Sequence, residues 1–218
     1  LKTYDPPLSA LEGRRFSGAE RRAKNILLPT DDGELVLHVH LMSAGRLRFL
    51  RHGDKQPKTP AFRLSFENGS SIVLTEAGAK KRAKVGLYTP EAIEEELAHL
   101  GPEAYGLSTR ELGEILASDS RRLHAFLRDQ RLVAGIGRAW ANEILNHAQL
   151  SPYALTTELT GEEIERLNDA IQKELARGLE LRERGASDKK IYRVHNRLGE
   201  PCPRCGTPLA QVDFDEHT

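Results

Sequence analysis

Apolar and polar positions in the first third of the chain follow the pattern of β-hairpins. Residues 25–28 and the largely apolar residues 35–41 are separated by a polar turn at residues 31–33, which predicts two paired strands. His38 and His40 share one face of the second strand. Both are expected to be structural, with His40 the more buried of the two.

A second hairpin is predicted further along the chain. Residues 52–60 are polar and interrupted by prolines, which indicates a surface loop. Beyond it, residues 61–66 and 71–74 show strand patterns on either side of a turn at residues 67–70. Up to about Tyr88 the pattern therefore predicts a small antiparallel sheet domain.

Helical periodicity replaces the strand pattern from Pro90 onwards. Ser108 with Glu111, and Thr160 with Glu163, have the spacing of a capping box, in which a hydroxyl and a carboxylate satisfy backbone amides at a helix start. The second box precedes a long predicted helix whose apolar positions are Ile164, Leu167, Ile171, Leu175 and Leu179.

Two further helices are predicted between these boxes. Their apolar residues are Leu123, Phe126 and Leu127 in the first, and Trp140, Ile144 and Leu145 in the second. Either Asp119 or Ser120 is expected to cap the first helix. Residues 133–137, which contain two glycines, separate the pair, so a helix, a glycine turn and a helix follow one another.

The composition indicates a folded protein. Hydrophobic residues make up 39% of the 218, which is enough for one large or two small cores and excludes a disordered tail. The mean hydropathy is −0.51, and no apolar run approaches the roughly 18 to 20 residues that a bilayer span needs. A membrane protein is therefore excluded too.

The charges balance but are unevenly distributed. There are 32 basic and 32 acidic residues, so the whole chain lacks the basic excess that is typical of many nucleic-acid-binding proteins. Basic residues cluster at 14–24, 80–84, 121–138 and 182–197, and acidic residues at 91–96, 162–165 and 213–216. A protein with one basic face fits this pattern, and charge alone leaves ordinary solvated surfaces equally open.

Both ends suggest that the sequence is a fragment. It begins at Leu1 without an initiator methionine or the segments of a signal peptide. Two cysteines, Cys202 and Cys205, are too few for a secreted disulfide scaffold and indicate an intracellular protein in which the pair binds metal or does redox chemistry. The chain ends at Thr218, shortly after this half of a four-ligand metal site.

The glycine turn is the first candidate for binding chemistry. Gly135 and Gly137 would let the backbone approach a bulky anion, and the amides at the start of the next helix would supply donors and a favourable dipole for a phosphate. Such a turn is more often a packing feature. The residues of the turn alone leave both interpretations open.

In context, this turn resembles that of a known family. Residues 129–145 resemble the helix-two-turn-helix signature of the formamidopyrimidine-DNA glycosylase and endonuclease VIII family. Residues 18–28 resemble the strand that carries the family's conserved lysine, and residues 38–47 resemble the next strand and the loop that fills the space left by the everted base. Residues 194–206 resemble the first half of its four-cysteine zinc finger. The resemblance covers nearly the whole chain, from about residue 5 to 214.

The resemblance implies an α+β fold in three parts. These are an N-terminal antiparallel β-sandwich-like domain at residues 1–90, a helical helix-two-turn-helix domain at 91–190, and a partial zinc ribbon at 191–218. Double-stranded DNA with an oxidised base or an abasic site would lie across a groove between the domains, with the target base flipped out. A monomer in the bacterial cytoplasm, associated with the nucleoid and with no membrane partner, is expected.

The activity that the resemblance implies is base-excision DNA repair. Members are bifunctional: they remove oxidised bases with the N-terminal amine of a proline, assisted by an adjacent glutamate, and then act as a lyase at the abasic site. Because this chain begins with Leu1, the Pro-Glu pair is expected upstream, and the fragment is expected to be inactive as a glycosylase. The alternative is a non-catalytic module that binds damaged DNA without the nucleophile.

The resemblance also assigns roles to residues. Lys24 matches the family lysine that contacts phosphate and assists elimination. Ser43 aligns with the methionine that fills the void, and the adjacent Met42 could serve in its place, although a role for Met42 in the core or on an edge strand is equally open. Cys202 and Cys205 match two of the four ligands of a structural zinc ion, whose site is expected to be incomplete in this chain. Further contacts to the DNA are assigned to Lys81, Arg82, Gly135, Gly137 and Arg138.

Two positions depart from the family pattern. Arg138 stands where the family has asparagine, so the phosphate contact would be made by a guanidinium with a different reach. Ala83 stands where the family has the aromatic residue of its intercalating wedge. These departures motivate the non-catalytic alternative.

Overall fold

The structure is a computed structural model that describes residues 5–77 and 80–211. The chain forms two compact units, Leu1–His99 and Leu100–Thr218. The α+β class is confirmed, because the first unit is built on antiparallel sheets and the second on helices. The division into three parts at residues 90 and 190 stays a prediction.

Seven strands form two antiparallel sheets among the described residues of the first unit. They are β1 (Glu20–Arg22), β2 (Asn25–Pro29), β3 (Val36–His40), β4 (Gly45–Leu50), β5 (Phe62–Ser65), β6 (Ser71–Glu76) and β7 (Lys84–Tyr88). The first sheet has the order β1-β2-β3-β7 and the second the order β4-β6-β5. Both predicted hairpins are confirmed, as β2 with β3 and β5 with β6.

The core of this unit lies between the sheets. Alternate residues of each strand point to the same side, and Leu37, Val39 and Leu87 from the first sheet pack with Leu74 from the second. Helix α1 (Pro90–Leu97) packs on β3 and β7 of the first sheet. Burying each such leucine contributes roughly 1.5 to 3 kcal/mol to the stability of the fold. The face of each strand that carries the apolar residues is therefore the face that turns to the core.

Five α-helices and a short 3-10 helix at Thr156–Glu158 are found in the described part of the second unit. The α-helices are, in chain order, α2 (Thr109–Ala117), α3 (Leu123–Arg128), α4 (Arg138–Ala148), α5 (Gly161–Glu183) and α6 (Asp188–Ile191). Both capping boxes are confirmed at the starts of α2 and α5. The leucine at the end of the predicted apolar face of α5, Leu179, is exposed, because Glu174 and Gly178 occupy the buried positions there.

The predicted cap of α3 was wrong. The helix begins after Arg122, which has an extended backbone and makes no side-chain cap. The amide of Leu123 donates to the carbonyl of Ala154, and the amide of Thr156 donates to that of Arg121. This short antiparallel pairing, and not a side chain of Asp119 or Ser120, fixes the chain at the helix start.

None of the helices among residues 5–77 and 80–211 combines the length and the apolar composition needed to cross a bilayer.

Candidate nucleic-acid interface

One end of the first sheet gathers the predicted site residues of the first unit. The strand register pairs Asn25 with His40, and His40 with Lys84. The turn before β2, the segment after β3 and the segment before β7 therefore lie at the same end of the sheet. These segments carry Lys24, Met42, Ser43, Lys81 and Arg82.

Lys24 lies in a tight turn and not on a strand, because β1 and β2 are joined by only two residues, Ala23 and Lys24. Two side chains fix this turn. Arg21 Nη1 donates to the carbonyl of Ala23 at 2.8 Å, and Asn25 Nδ2 donates to the carbonyl of Arg22 at 3.0 Å. The backbone of the half-buried Lys24 is thus held in one place.

His38 supports the same turn from below. Asn25 uses its Nδ2 on the Arg22 carbonyl, so its Oδ1 is the acceptor for His38 Nε2 at 2.8 Å, and Nε2 must carry the hydrogen. Burial, together with the nearby His40 and Lys84, lowers the pKa of His38 to about 4. The ring is therefore neutral at physiological pH and remains a donor to Asn25.

The expectation that His40 is the more buried histidine was wrong. His38 is only 3% exposed, since its face of the sheet is covered by α1 and its ring packs edge-on against Tyr88. His40 stands at the end of β3 and is half-buried. Burial, and then the charges of Lys84 and Lys24, lower the pKa of His40. His40 therefore lies close to two lysines.

His40 orders the segment that follows β3. The amide of Met42 donates to His40 Nδ1 at 3.1 Å, and Met42 has a φ of 50°. The Met42 side chain is 45% exposed and Ser43 is exposed beside it. An apolar side chain thus projects into solvent from an anchored backbone, next to the lysine pair.

The segment before β7 is tied to Glu76. The buried carboxylate of Glu76 accepts hydrogen bonds from the backbone amides of Arg82, at 2.7 Å, and Ala83, at 3.1 Å. Lys81 Nζ donates to the Glu76 carbonyl, so its ammonium contacts the protein's own backbone, whereas Arg82 is exposed. The predicted DNA contacts of both residues stay predictions.

The glycine turn of the second unit precedes α4. Gly135 has a φ of 101°, in the left-handed region where a side chain is strained. Gly137 has an extended backbone, with φ −108° and ψ 174°, so its conformation does not require glycine. Gly137 is the N-cap of α4. Because glycine has no side chain, no cap residue bonds the backbone amides in the first turn of the helix, before Ala141.

Gln130 holds this turn against the end of α3. Its Oε1 accepts the amide of Gly135 at 3.0 Å, and its Nε2 donates to the carbonyls of Ile136 at 2.8 Å and Arg128 at 3.0 Å. Both ends of one amide are therefore used on the turn. Sequence reasoning missed Gln130, since nothing in the hydrophobic pattern marks a polar residue five positions before a glycine.

Arg128 is a second missed residue. It ends α3, and burial together with the charge of Arg138 lowers its pKa. Among the described residues, no hydrogen bond or ion pair engages its guanidinium. The neighbouring Asp129 does not compensate it, because both its carboxylate oxygens are bonded to Arg131 and Arg121.

The charge of Arg138 disfavours the charged form of Arg128, and a half-buried charge such as that of Arg128 is costly unless it is paired. Arg128 and Arg138 therefore create a strongly positive position beside the uncapped amides of α4. An anion placed there would gain from both guanidiniums and from the helix dipole.

The cysteine pair forms a tight knuckle near the end of the described chain. The amide of Cys202 donates to the carbonyl of Thr207 at 2.8 Å, and that of Gly206 to the carbonyl of Cys202 at 2.9 Å. Backbone amides of Arg204 and Cys205 lower the pKa of the Cys202 thiol to about 7. Residues 5–77 and 80–211 contain no cluster of three metal-binding side chains, so zinc binding stays a prediction.

Comparison with known proteins places the chain in a family. The family model for the formamidopyrimidine-DNA glycosylase N-terminal domain matches residues 3–83, and the model for the H2TH domain of the same glycosylase matches residues 100–190. The formamidopyrimidine-DNA glycosylase of Moorella thermoacetica is 34% identical over 217 residues, covering 93% of this chain and 78% of that protein. The chain belongs to the formamidopyrimidine-DNA glycosylase family. 

One further relative agrees with that assignment, and a solved structure shows the same fold. The formamidopyrimidine-DNA glycosylase of Chloroflexus aurantiacus is 32% identical over 215 residues, covering 93% of this chain and 76% of that protein. The structure of the Lactococcus lactis Fpg in complex with abasic-site DNA is similar in fold, with a TM-score of 0.85 at 21% identity, and covers 97% of this chain and 82% of that one.

Proposed function

We propose that this protein acts in base-excision repair and binds double-stranded DNA at an oxidised base or an abasic site. The observation that carries the proposal is the half-buried guanidinium of Arg128, whose pKa is lowered by burial and by the charge of Arg138, beside the uncapped start of α4. Phosphates are the anions that two guanidiniums and a row of backbone amides bind well. Membership of the glycosylase family supports DNA as the source of those phosphates.

The glycine turn binds a DNA phosphate close to the lesion in this proposal. Gln130 takes up the amide of Gly135 and the carbonyl of Ile136, so the turn is already ordered before DNA arrives. Ordering in advance reduces the entropy lost on binding. Arg138 then takes the place of the asparagine that the family resemblance implies, and Arg128 adds a second guanidinium to the same phosphate or to its neighbour.

The lysine end of the first sheet serves the chemical steps. Lys24 contacts a phosphate and assists elimination at the abasic site, since an ammonium stabilises the negative charge of a departing phosphate. Met42 fills the space left by the everted base, because it is the exposed apolar side chain of an anchored segment. In the family, the nucleophile is the amine of an N-terminal proline, which forms a Schiff base at C1′ as the base leaves.

A structural zinc ion is part of the proposal only as far as the ligands allow. Cys202 and Cys205 fit two corners of a tetrahedral zinc site, because the knuckle brings both thiols to one side of a tight turn. Two thiolates do not hold structural zinc, and the described residues supply no third ligand. When bound, zinc would order this segment, and no chemical step depends on it.

A second candidate is a non-catalytic module that binds damaged DNA. It is favoured by Ala83, which stands where the family has the aromatic residue of its intercalating wedge, and by Arg138 in place of asparagine. Such a module would use the same phosphate position and would not form a covalent intermediate.

Borohydride trapping on a duplex with one abasic site separates the two candidates. The 218-residue chain is compared with a version extended upstream by the Pro-Glu start of a curated relative. We expect a covalent adduct with the extended protein alone, because only its proline amine forms the Schiff base. If both proteins bind the duplex and neither is trapped, the non-catalytic function is correct. Trapping of the short chain would instead identify another amine, such as that of Lys24.

A further inference from the structure

The second sheet of the first unit and its flanking loop are strongly basic. Residues 43–66 contain six lysines or arginines and a single carboxylate, Asp54, although the whole chain has no net charge. The basic residues are Arg46, Arg48, Arg51, Lys55, Lys58 and Arg63. From Arg48 onwards, this concentration lies outside the segments to which the repair site has been assigned.

The strand register places two of these arginines on one face. Arg48 of β4 and Arg63 of β5 both lie opposite Val73, in the central strand β6. The face is the outer one, because the core side of β6 is occupied by Ile72 and Leu74. Neighbouring strands are about 4.8 Å apart, so the Cα atoms of the two arginines, which lie on either side of β6, are roughly 10 Å apart.

Val73 shows how the two arginines are held. It is 0% exposed although it lies on the face opposite the core, and Arg48 and Arg63 are its direct neighbours on both sides. Long basic side chains commonly cover apolar surface with their aliphatic stems and keep their charged ends in water. The guanidiniums are therefore presented on a rigid sheet.

Both guanidiniums lack a partner among the described residues. Neither Arg48 nor Arg63 makes a hydrogen bond or an ion pair in the part of the chain that the structure describes, and both are exposed. Asp54, the one carboxylate of the segment, accepts the amide of Arg51 at 2.7 Å. Arg46 differs, since its Nη1 is bonded to the carbonyl of Gly45.

The arrangement favours a polyanion with a regular backbone over a protein surface. Protein interfaces are enriched in aromatic residues at their centres, and none of the outward positions of β4, β5 and β6 is aromatic. A DNA duplex carries about one phosphate charge per 1.7 Å of its axis. Two arginines whose Cα atoms are roughly 10 Å apart on one face of a sheet can thus reach separate phosphates of the same duplex.

We propose that the outer face of the β4-β6-β5 sheet binds the phosphate backbone of undamaged double-stranded DNA through Arg48 and Arg63. This second DNA surface rests on the proposed function only in that DNA is the ligand. It would hold the protein on undamaged duplex while lesions are sought, in addition to the phosphate position at the glycine turn.

The test measures binding to an undamaged duplex of about 40 base pairs as salt is varied from about 50 to 200 mM. The variant Arg48→Gln/Arg63→Gln is compared with Arg110→Gln/Lys173→Gln, which removes the same charge from exposed positions on α2 and α5. We expect the slope of log affinity against log salt to fall by roughly 2 in the first variant, and its low-salt affinity to fall on the order of tenfold. In the control variant, both the salt slope and the low-salt affinity should change less.

Two further measurements keep the result interpretable. Arg48→Lys/Arg63→Lys retains the charge and should retain the salt slope, which excludes a folding defect as the cause. Affinity for a short duplex with an abasic site, of about 12 base pairs, should be unchanged in the glutamine variant, since that ligand is bound at the glycine turn.

The proposal is wrong if the glutamine variant keeps the wild-type slope on the long duplex, or if it loses affinity for the short abasic duplex equally. It is also wrong if Arg48 and Arg63 are needed to bind polyglutamate while the DNA slope stays unchanged, because the face would then serve an acidic protein segment. Failure of the proposed function can be told apart from failure of this second DNA surface. If the proposed function is wrong, the protein shows no preference for the abasic duplex, whether or not Arg48 and Arg63 set the salt slope.

Discussion

At the scale of single residues, the candidate interface depends on side chains that hold backbone in place. Gln130 bonds the glycine turn at two atoms and the end of α3 at a third. Asn25 and His38 do the same for the turn that carries Lys24. None of these residues needs to touch DNA to matter, because a phosphate site is only as precise as the backbone that forms it.

Gln130→Ala should therefore weaken binding to abasic-site DNA on the order of tenfold, since the turn would have to be ordered upon binding. Gln172→Ala is a matched control. Gln172 ties another loop of the same unit, with its Nε2 bonded to the Ala104 carbonyl at 2.9 Å and its Oε1 to the Gly106 amide at 2.8 Å. Both variants should lose roughly 1 to 2 kcal/mol of unfolding free energy. Equal affinities of the two variants for DNA, measured by fluorescence anisotropy, would argue against a positioning role for Gln130.

Lys24→Gln should slow strand cleavage at a preformed abasic site on the order of a hundredfold in the extended protein, because the ammonium that assists elimination is lost. Trapping by borohydride should persist, since the Schiff base forms on the proline amine. Lys173→Gln, a change of the same charge on α5, is the control. Single-turnover cleavage gives the rate, and an unchanged rate would remove Lys24 from the chemistry.

The neutral His38 predicts a dependence of stability on pH. Its pKa is about 4 in the folded protein and 6.5 in the reference state, so the unfolded chain binds more protons between these values. The free energy of unfolding should fall as the pH is lowered from about 6.5 to about 4, by up to about 3 kcal/mol from this residue. Urea unfolding at several pH values tests this. The decrease should be shallower in His38→Gln, and parallel curves for the two proteins would contradict it.

At the scale of elements, the sequence predicts best where a local pattern decides the structure. The two hairpins and the capping boxes at Ser108 and Thr160 follow from turn and cap residues that act over three or four positions. The start of α3 could not be predicted in this way, because it is fixed by pairing between Arg122 and Leu155, which are distant in sequence.

The same distinction holds for the candidate site. The glycine turn and Lys24 could be found from the sequence because they lie within recognisable local motifs. The lowered pKa of His40, the role of Gln130 and the proximity of Arg128 to Arg138 depend on which segments pack together. Periodicity does not encode those contacts, so these residues became visible only in the folded structure.

Helix packing predicts opposite effects for two glycines. A Cβ at Gly178 of α5 would lie 2.2 Å from ring carbons of Trp140 on α4, whereas a Cβ at Gly113 of α2 would meet Ile164 at 3.8 Å. Gly178→Ala should therefore destabilise the protein by about 1 to 3 kcal/mol through overpacking. Gly113→Ala should stabilise it by about 0.5 to 1 kcal/mol, because alanine favours helix. Thermal unfolding of both variants is the measurement, and stabilisation by Gly178→Ala would show that α4 and α5 do not approach so closely.

At the scale of the whole molecule, a chain with no net charge carries separate basic surfaces in its two units. In the first unit, Lys24 and Lys84 gather at one end of the first sheet and Arg48 and Arg63 lie on the second. In the second unit, Arg128 and Arg138 flank the glycine turn. Zero net charge therefore does not argue against a nucleic-acid partner, since attraction to DNA depends on the local arrangement of charge.

The most direct test of the central claim is the affinity of the 218-residue chain for a short duplex that contains one abasic site, relative to the same duplex without it. We expect the abasic duplex to be bound at least about tenfold more tightly. The preference should be lost in Arg128→Gln/Arg138→Gln and kept in Arg110→Gln/Lys173→Gln. Equal affinity of the wild-type chain for the two duplexes would contradict the proposed function, and a preference that survives loss of both Arg128 and Arg138 would place the lesion-specific contacts elsewhere.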